Sequence, residues 1–83
     1  MFIFQQKVFA EVEYSDIVEW CVSALEIKLP EQFWQPLKKN GISGKAVVAK
    51  RSFGAAKAFL KDDGKLKGGP ADALASHLFP RSM

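Results

Sequence analysis

Few residues of this 83-residue chain belong to the types that perform catalysis. His77 is the single histidine and Cys21 the single cysteine, and neither has neighbours in the sequence that would activate it. With one thiol, the chain can form neither an intrachain disulfide nor a zinc site built from thiolates. We expect Cys21 to pack as a small apolar residue, and we predict a protein with no enzymatic activity, metal or cofactor.

Two short polar stretches superficially resemble ligand-binding loops. Residues 62–64 (DDG) are similar to the start of a cation loop, but no regular series of oxygen ligands or closing glutamate follows them. Residues 64–69 (GKLKGG) are glycine-rich and basic, yet they lack the G-K-S/T ending of a phosphate-binding loop. We interpret both stretches as turns between elements of secondary structure.

The charges of the chain are segregated between its two halves. Residues 1–37 carry two lysines and six carboxylates, whereas residues 38–83 carry ten Lys or Arg and three aspartates. The net charges are therefore −4 and +7. A small domain with this split can attract a copy of itself head to tail, or a different partner with either half. The pattern favours binding over catalysis.

The composition indicates a single domain in a reducing compartment. Ten aromatic residues and a hydrophobic fraction of 48% are sufficient for a core. The hydrophobic runs are shorter than the roughly 18 to 20 residues that span a bilayer, and the first residues lack a secretory pattern. We therefore expect a soluble protein, mature from Met1, in the cytoplasm or another reducing intracellular compartment.

The type of the first segment is ambiguous. Apolar and polar residues alternate over residues 7–14, which is typical of a short strand or extended arm. The same segment could form the first turns of a helix, with Phe4, Val8 and Glu11 on one face. We favour a strand or arm at residues 1–14, followed by a single small helical domain at residues 15–83.

Capping residues and helical spacing predict five short helices in the remainder of the chain. Ser15 and Asp16 begin the first of them. Pro30 suits the start of the second, and Pro36 shortens or kinks it. Residues 40–41 (NG) then end it, because both tolerate the left-handed conformation of helix ends.

The last three helices follow from similar signals. Residues 42–51 fit either a helix opened by Ser43 or a strand, and local rules do not decide between these two. Ser52 caps the next helix, and residues 68–72 (GGPAD) form a loop that leads into the last one. The predicted fold class is mostly α, a compact bundle of five helices with an N-terminal strand or arm.

Three stretches, in order, resemble the sterile alpha motif (SAM) family. Residues 16–20 (DIVEW) look like its D-V-x-x-W opening, and Leu29 and Pro30 followed by Phe33 resemble the start of its second helix. Residues 40–46 (NGISGKA) resemble its N-G-I-D-G-x-A segment. Positions similar to its final loop and long last helix are Leu60, residues 64–70 (GKLKGGP), Leu74 and Leu78.

The resemblance implies a SAM-like domain that binds proteins through an acidic and a basic surface. The candidates for the basic surface lie near the start of the last helix, whose amino terminus attracts carboxylates: Lys57, Lys61, Lys65, Lys67, Gly68 and Gly69. For the acidic surface we nominate Glu19, Glu26 and Glu31. Head-to-tail contact between the two surfaces would bind a second copy of the chain, or a different SAM-like or acidic protein.

Trp34 is a possible aromatic anchor for a partner. It neighbours Phe33, and adjacent residues of a helix cannot face the same direction, so one of the two is a candidate for exposure. An exposed Trp34 would anchor a partner, whereas a buried one would hold an edge of the core.

Nucleic-acid binding is the alternative function. The second half contains a basic tract, and some SAM domains are similar in binding RNA hairpins through their phosphates. Its members are Lys50, Arg51, Lys57, Lys61, Lys65 and Lys67. Against RNA or DNA binding, the net charge is only +3, and Asp62 and Asp63 interrupt the tract. A small phage- or plasmid-type regulator or inhibitor of a host protein is a further alternative.

Overall fold

Six α-helices and one short 3₁₀ helix make up the fold in the computed structural model, which describes residues 4–25 and 27–80. Their bounds are α1 (Phe4–Ala10), α2 (Ile17–Ala24), η1 (Glu31–Phe33), α3 (Gln35–Lys39), α4 (Gly44–Val48), α5 (Phe53–Asp62) and α6 (Gly68–Leu78). No β-strand occurs in the described residues. The prediction of a compact α-helical fold is therefore confirmed.

The prediction of a strand or extended arm at the amino terminus is wrong for the described part of residues 1–14, because residues 4–10 form α1. The alternating pattern would have turned Val8 inward, but the structure exposes Val8 and completely buries Phe9. The Phe9 ring packs on Trp20 with ring centroids 4.7 Å apart. Burying the larger phenyl ring removes more apolar surface from water, so tertiary packing overrides the local pattern. Residues 1–3 lie outside the described residues.

Proline divides the second predicted helix into two parts. Residues 31–33 form η1, and α3 begins after Trp34 with Pro36 in its first turn. A proline is tolerated there because the first amides of a helix have no partner within it. Gly41 follows with a φ of 68°, so the expected left-handed end of this helix is confirmed.

Two serine caps settle the structure of the middle of the chain. The Ser43 hydroxyl accepts a hydrogen bond from the Ala46 amide at 3.3 Å, so residues 42–51 contain helix α4 and no strand. The Ser52 hydroxyl accepts from the Ala55 amide at 3.2 Å and begins α5 as predicted. The expected loop at residues 68–72 is wrong, because α6 already begins at Gly68.

Apolar side chains from all six α-helices meet in one core. Its largest fully buried members are Trp34, Phe9, Ile17, Leu25, Leu37, Leu60, Leu74 and Leu78. None of the described residues with a charged or polar side chain is buried. No described helix combines the length and the hydropathy that crossing a membrane requires. The charged side chains of the described residues therefore remain at least partly exposed.

Candidate interaction site

The two side chains considered for catalysis lie in packed surroundings. Cys21 is fully buried, and the loss of solvation raises the pKa of its thiol to about 12. His77 is half-buried and its ring stands edge-on to Trp20, with centroids 5.8 Å apart. Among the described residues there is no group of three or more His, Cys, Asp or Glu side chains that could hold a metal ion.

Cys21 should resist alkylation while the protein is folded. Only the thiolate reacts, and a pKa of about 12 keeps the buried thiol protonated at pH 8. We expect less than about one tenth of the protein to react with iodoacetamide in a time that fully labels an exposed cysteine, whose pKa is about 8.5. Mass spectrometry measures the label, and the same sample in denaturant is the control. Rapid labelling of the native protein would contradict the burial of this residue.

Two of the three predicted acidic residues line one cleft. Glu19 on α2 and Glu31 on η1 face a hollow of about 390 Å³. Val18 and Val22 contribute apolar surface to this cleft, and Lys38 on α3 contributes one positive charge. Glu26, the third predicted residue, lies outside the described residues.

Sequence reasoning missed two further carboxylates beside this cleft. Glu11 and Asp16 line an adjoining hollow of about 340 Å³, to which Glu19 also contributes. Asp16 and Glu19 are three residues apart at the start of α2, so helical spacing could have grouped them. Glu11 has no such signal, because it follows α1. We call the set of Glu11, Asp16, Glu19 and Glu31 the acidic surface.

Two of the predicted basic residues also come together. Lys65 and Lys67 line an open groove of about 290 Å³ with Gln32, Phe33 and Pro36. We call these five residues the basic groove. The half-buried Phe33 ring supplies apolar surface in the same groove as the two exposed lysines. This arrangement suits a carboxylate-bearing partner that also has an apolar side chain to bury.

Trp34 does not belong to this groove. It is fully buried, so the suggestion that it is an exposed anchor is wrong, and Phe33 is the aromatic residue at the surface. The reason is the size of the indole, whose burial removes the larger apolar area from water.

The other predicted residues of the basic surface do not line the basic groove, and one of them is already paired with a carboxylate. The Lys57 ammonium pairs with an Asp72 carboxylate oxygen on α6 at 3.3 Å, which offsets its charge. Lys61 is exposed on α5. Gly68 and Gly69 are exposed in the first turn of α6, and a Cβ atom at either position would meet nothing within 4 Å. Neither glycine is therefore required by close packing.

The basic tract considered for nucleic acid is divided among several environments. The Lys50 ammonium lies 4.3 Å from the centre of the Phe59 ring, and Lys57 pairs with Asp72. Lys65 and Lys67 belong to the basic groove. These four lysines of the tract therefore lie in three different local environments in the fold.

The acidic surface and the basic groove lie on neighbouring sides of one helical segment. Glu31 and Gln35 line the acidic cleft, whereas the residues that follow each of them, Gln32 and Pro36, line the basic groove. Successive residues are rotated by about 100° around an α-helix and by about 120° around a 3₁₀ helix. The two surfaces therefore adjoin each other at η1 and α3 and do not occupy opposite ends of the molecule.

Comparison with known proteins assigns no family to this chain. No family model, curated protein or solved structure matches it. The resemblance to SAM domains stays a prediction, and the charge and shape of the surfaces are the basis for inferring function.

Proposed function

We propose that this protein is a non-catalytic interaction module that associates through the acidic surface and the basic groove. One observation carries this proposal. The exposed lysines Lys65 and Lys67 share a groove with the half-buried Phe33, and the four carboxylates of the acidic surface lie on the neighbouring side of the molecule. The basic groove combines positive charge with the apolar surface of Phe33, and the cleft of the acidic surface combines two carboxylates with Val18, Val22 and Lys38. The partner is a second copy of the chain, or a different protein with the same charge pattern.

The charged groups would mainly set orientation and speed of association. An exposed ion pair contributes only about 0–1 kcal/mol, so pairs formed by Lys65 and Lys67 cannot account for a tight complex. Apolar contact at Phe33 and at Val18 and Val22 would supply the remaining affinity. The attraction between exposed charges is screened over about 8–10 Å at physiological salt. Association should therefore be of modest affinity and weaken as salt is added.

The order of the helices supports a SAM-like reading of this module. From residue 17 onward the chain forms α2, η1 with α3, α4, α5 and α6, and α6 is the longest helix at 11 residues. The SAM resemblance implies a basic surface at the start of a long last helix. Lys65 and Lys67 lie immediately before α6, in agreement with that expectation.

The acidic surface and the basic groove are different patches of the chain, so head-to-tail contact between them is heterologous. Such a contact produces a ring when its rotation returns to the first copy, and an open helical chain when it does not. The proposed self-association therefore produces assemblies whose mass depends on protein concentration.

Charge reversal in each surface tests this proposal. Lys65→Glu with Lys67→Glu, and separately Glu19→Lys with Glu31→Lys, should each abolish self-association in size-exclusion chromatography with light scattering. An equimolar mixture of the two variants should form a one-to-one dimer through their intact surfaces. Lys7→Glu with Lys28→Glu is the matched control, because both lysines are exposed outside the basic groove. Equal behaviour of the control and the groove variant would refute the proposed contact.

A further inference from the structure

A second groove with two cations lies away from the surfaces described above. Its volume is about 600 Å³, larger than that of the acidic cleft or the basic groove. It lies among α1, α4 and the residue that follows α6. The residues that line it are Gln6, Ala10, Lys45, Val48, Ala49, Arg51 and Phe79. We call it the α1–α4 groove.

The α1–α4 groove combines an apolar floor with positive charge. Val48 is buried and Phe79 is half-buried, and both line the groove together with the cations Lys45 and Arg51. No carboxylate is among the described residues that line it. Lys50 lies between the two cations in the sequence, but its ammonium is directed to the Phe59 ring. The charge of the groove is therefore positive and is carried by Lys45 and Arg51.

One hydrogen bond holds two walls of the groove together. The side-chain amide of Gln6 on α1 donates to the Leu78 carbonyl oxygen at the end of α6 at 2.7 Å. This contact joins residues 72 positions apart in the chain. The groove is thus a feature of the tertiary fold, which explains why no sequence pattern predicted it.

The backbone of Arg51 points to a role for its side chain. Arg51 has a φ of 65°, in the left-handed region that glycine adopts freely but that is sterically unfavourable for residues with a Cβ atom. Among the described residues only Arg51 and Lys65 combine a positive φ with a side chain, and each is one of the two cations that line its groove. Strained positions of this kind are concentrated at functional sites.

We propose that the α1–α4 groove binds an acidic peptide segment of a partner protein. An apolar side chain of the peptide lies on Val48 and Phe79, and carboxylates on either side of it pair with Lys45 and Arg51. A guanidinium can hold a carboxylate by two parallel hydrogen bonds, which gives Arg51 the more directional contact. A volume of about 600 Å³ falls within the range of about 300–1,000 Å³ that ligand sites occupy.

Titration of the full chain with a short synthetic peptide tests this site. The probe is a hexapeptide in which one leucine is flanked by two aspartates in a glycine and serine background, added to millimolar concentration. In ¹H–¹⁵N correlation spectra, the amides of Ala10, Val48 and Arg51 should shift with the peptide. The same peptide with asparagines should bind about tenfold more weakly or worse, because charge-assisted hydrogen bonds are lost. No shifts in the groove, or equal binding of the two peptides, would overturn the proposal.

Variants of the protein separate this site from the basic groove. Lys45→Gln with Arg51→Gln should weaken binding of the aspartate peptide by at least about tenfold. Lys28→Gln with Lys61→Gln, which removes the same charge elsewhere, should leave it unchanged. Lys65→Glu with Lys67→Glu should leave the peptide-induced shifts of Ala10, Val48 and Arg51 unchanged, even if that variant loses self-association and any peptide binding at the basic groove. Equal loss in all three variants would mean that the peptide responds only to net charge, which contradicts the proposed site.

Discussion

Alanine in place of Trp34 should remove most of the stability of this protein. The indole is fully buried and is the largest side chain of the core. Replacing a buried Trp with alanine typically costs about 3–5 kcal/mol, since the lost apolar contacts leave a cavity. Native proteins are stable by only about 0.05–0.15 kcal/mol per residue, so an 83-residue domain has little reserve. Urea titration followed by circular dichroism should show a much lower midpoint or no folded baseline.

Trp34→Phe is the matched control for this prediction. The indole N–H of Trp34 is buried and has no hydrogen-bond partner among the described residues, which costs desolvation free energy. Phenylalanine removes that unpaired donor and keeps most of the apolar surface. We therefore expect the Trp34→Phe variant to lose about 1–2 kcal/mol, less than half the loss in the alanine variant. An alanine variant with an unchanged urea midpoint but weaker association would contradict the burial of Trp34 and show that it is a surface anchor.

Gly44→Ala should detach α1 from the rest of the fold. A Cβ atom at Gly44 would overlap the backbone carbonyl oxygen of Phe9, which cannot rotate away as a side chain could. The Gly44 amide also donates a hydrogen bond to the carbonyl oxygen of Val12, two residues after α1, at 2.9 Å. A shift of α1 away from Gly44 would break this hydrogen bond. Overpacking and one lost hydrogen bond together cost about 2–4 kcal/mol.

The same glycine-to-alanine change at Gly54 should have the opposite effect on stability. Gly54 is exposed in α5, and a Cβ atom there would meet nothing within 4 Å. Alanine is favoured over glycine in a helix by about 0.5–1 kcal/mol, so this variant should become more stable. Urea midpoints of the two variants measure the difference. A Gly44→Ala variant as stable as the unmodified protein would show that α1 does not contact α4 as the structure describes.

Local signals predicted the parts of the fold that depend on neighbouring residues. The cap at Ser52 requires only the next three residues, and the glycine end at Gly41 requires only its own φ. Local signals left residues 42–51 open between a helix and a strand, and the structure shows the helix capped by Ser43. The first segment could not be assigned in this way. Its helical form depends on the packing of Phe9 against Trp20, a contact between residues of different helices.

The candidate site was predictable only in outline. The segregation of charge along the chain predicted two surfaces of opposite sign. In the structure Lys65 and Lys67 line one groove, and Glu19 and Glu31 line one cleft. Periodicity did not distinguish Trp34 from Phe33, because each could face the core. Membership of Glu11 in the acidic surface and the whole α1–α4 groove depend on tertiary contacts, which no local pattern encodes.

Light scattering on the unmodified protein at low and at moderate salt, over a range of concentrations, tests the proposed association most directly. The mass should rise above that of the monomer with concentration and return toward the monomer as salt is added, because the contact pairs the acidic surface with the basic groove. A mass equal to that of the monomer at every concentration and at both salts would contradict self-association through these surfaces.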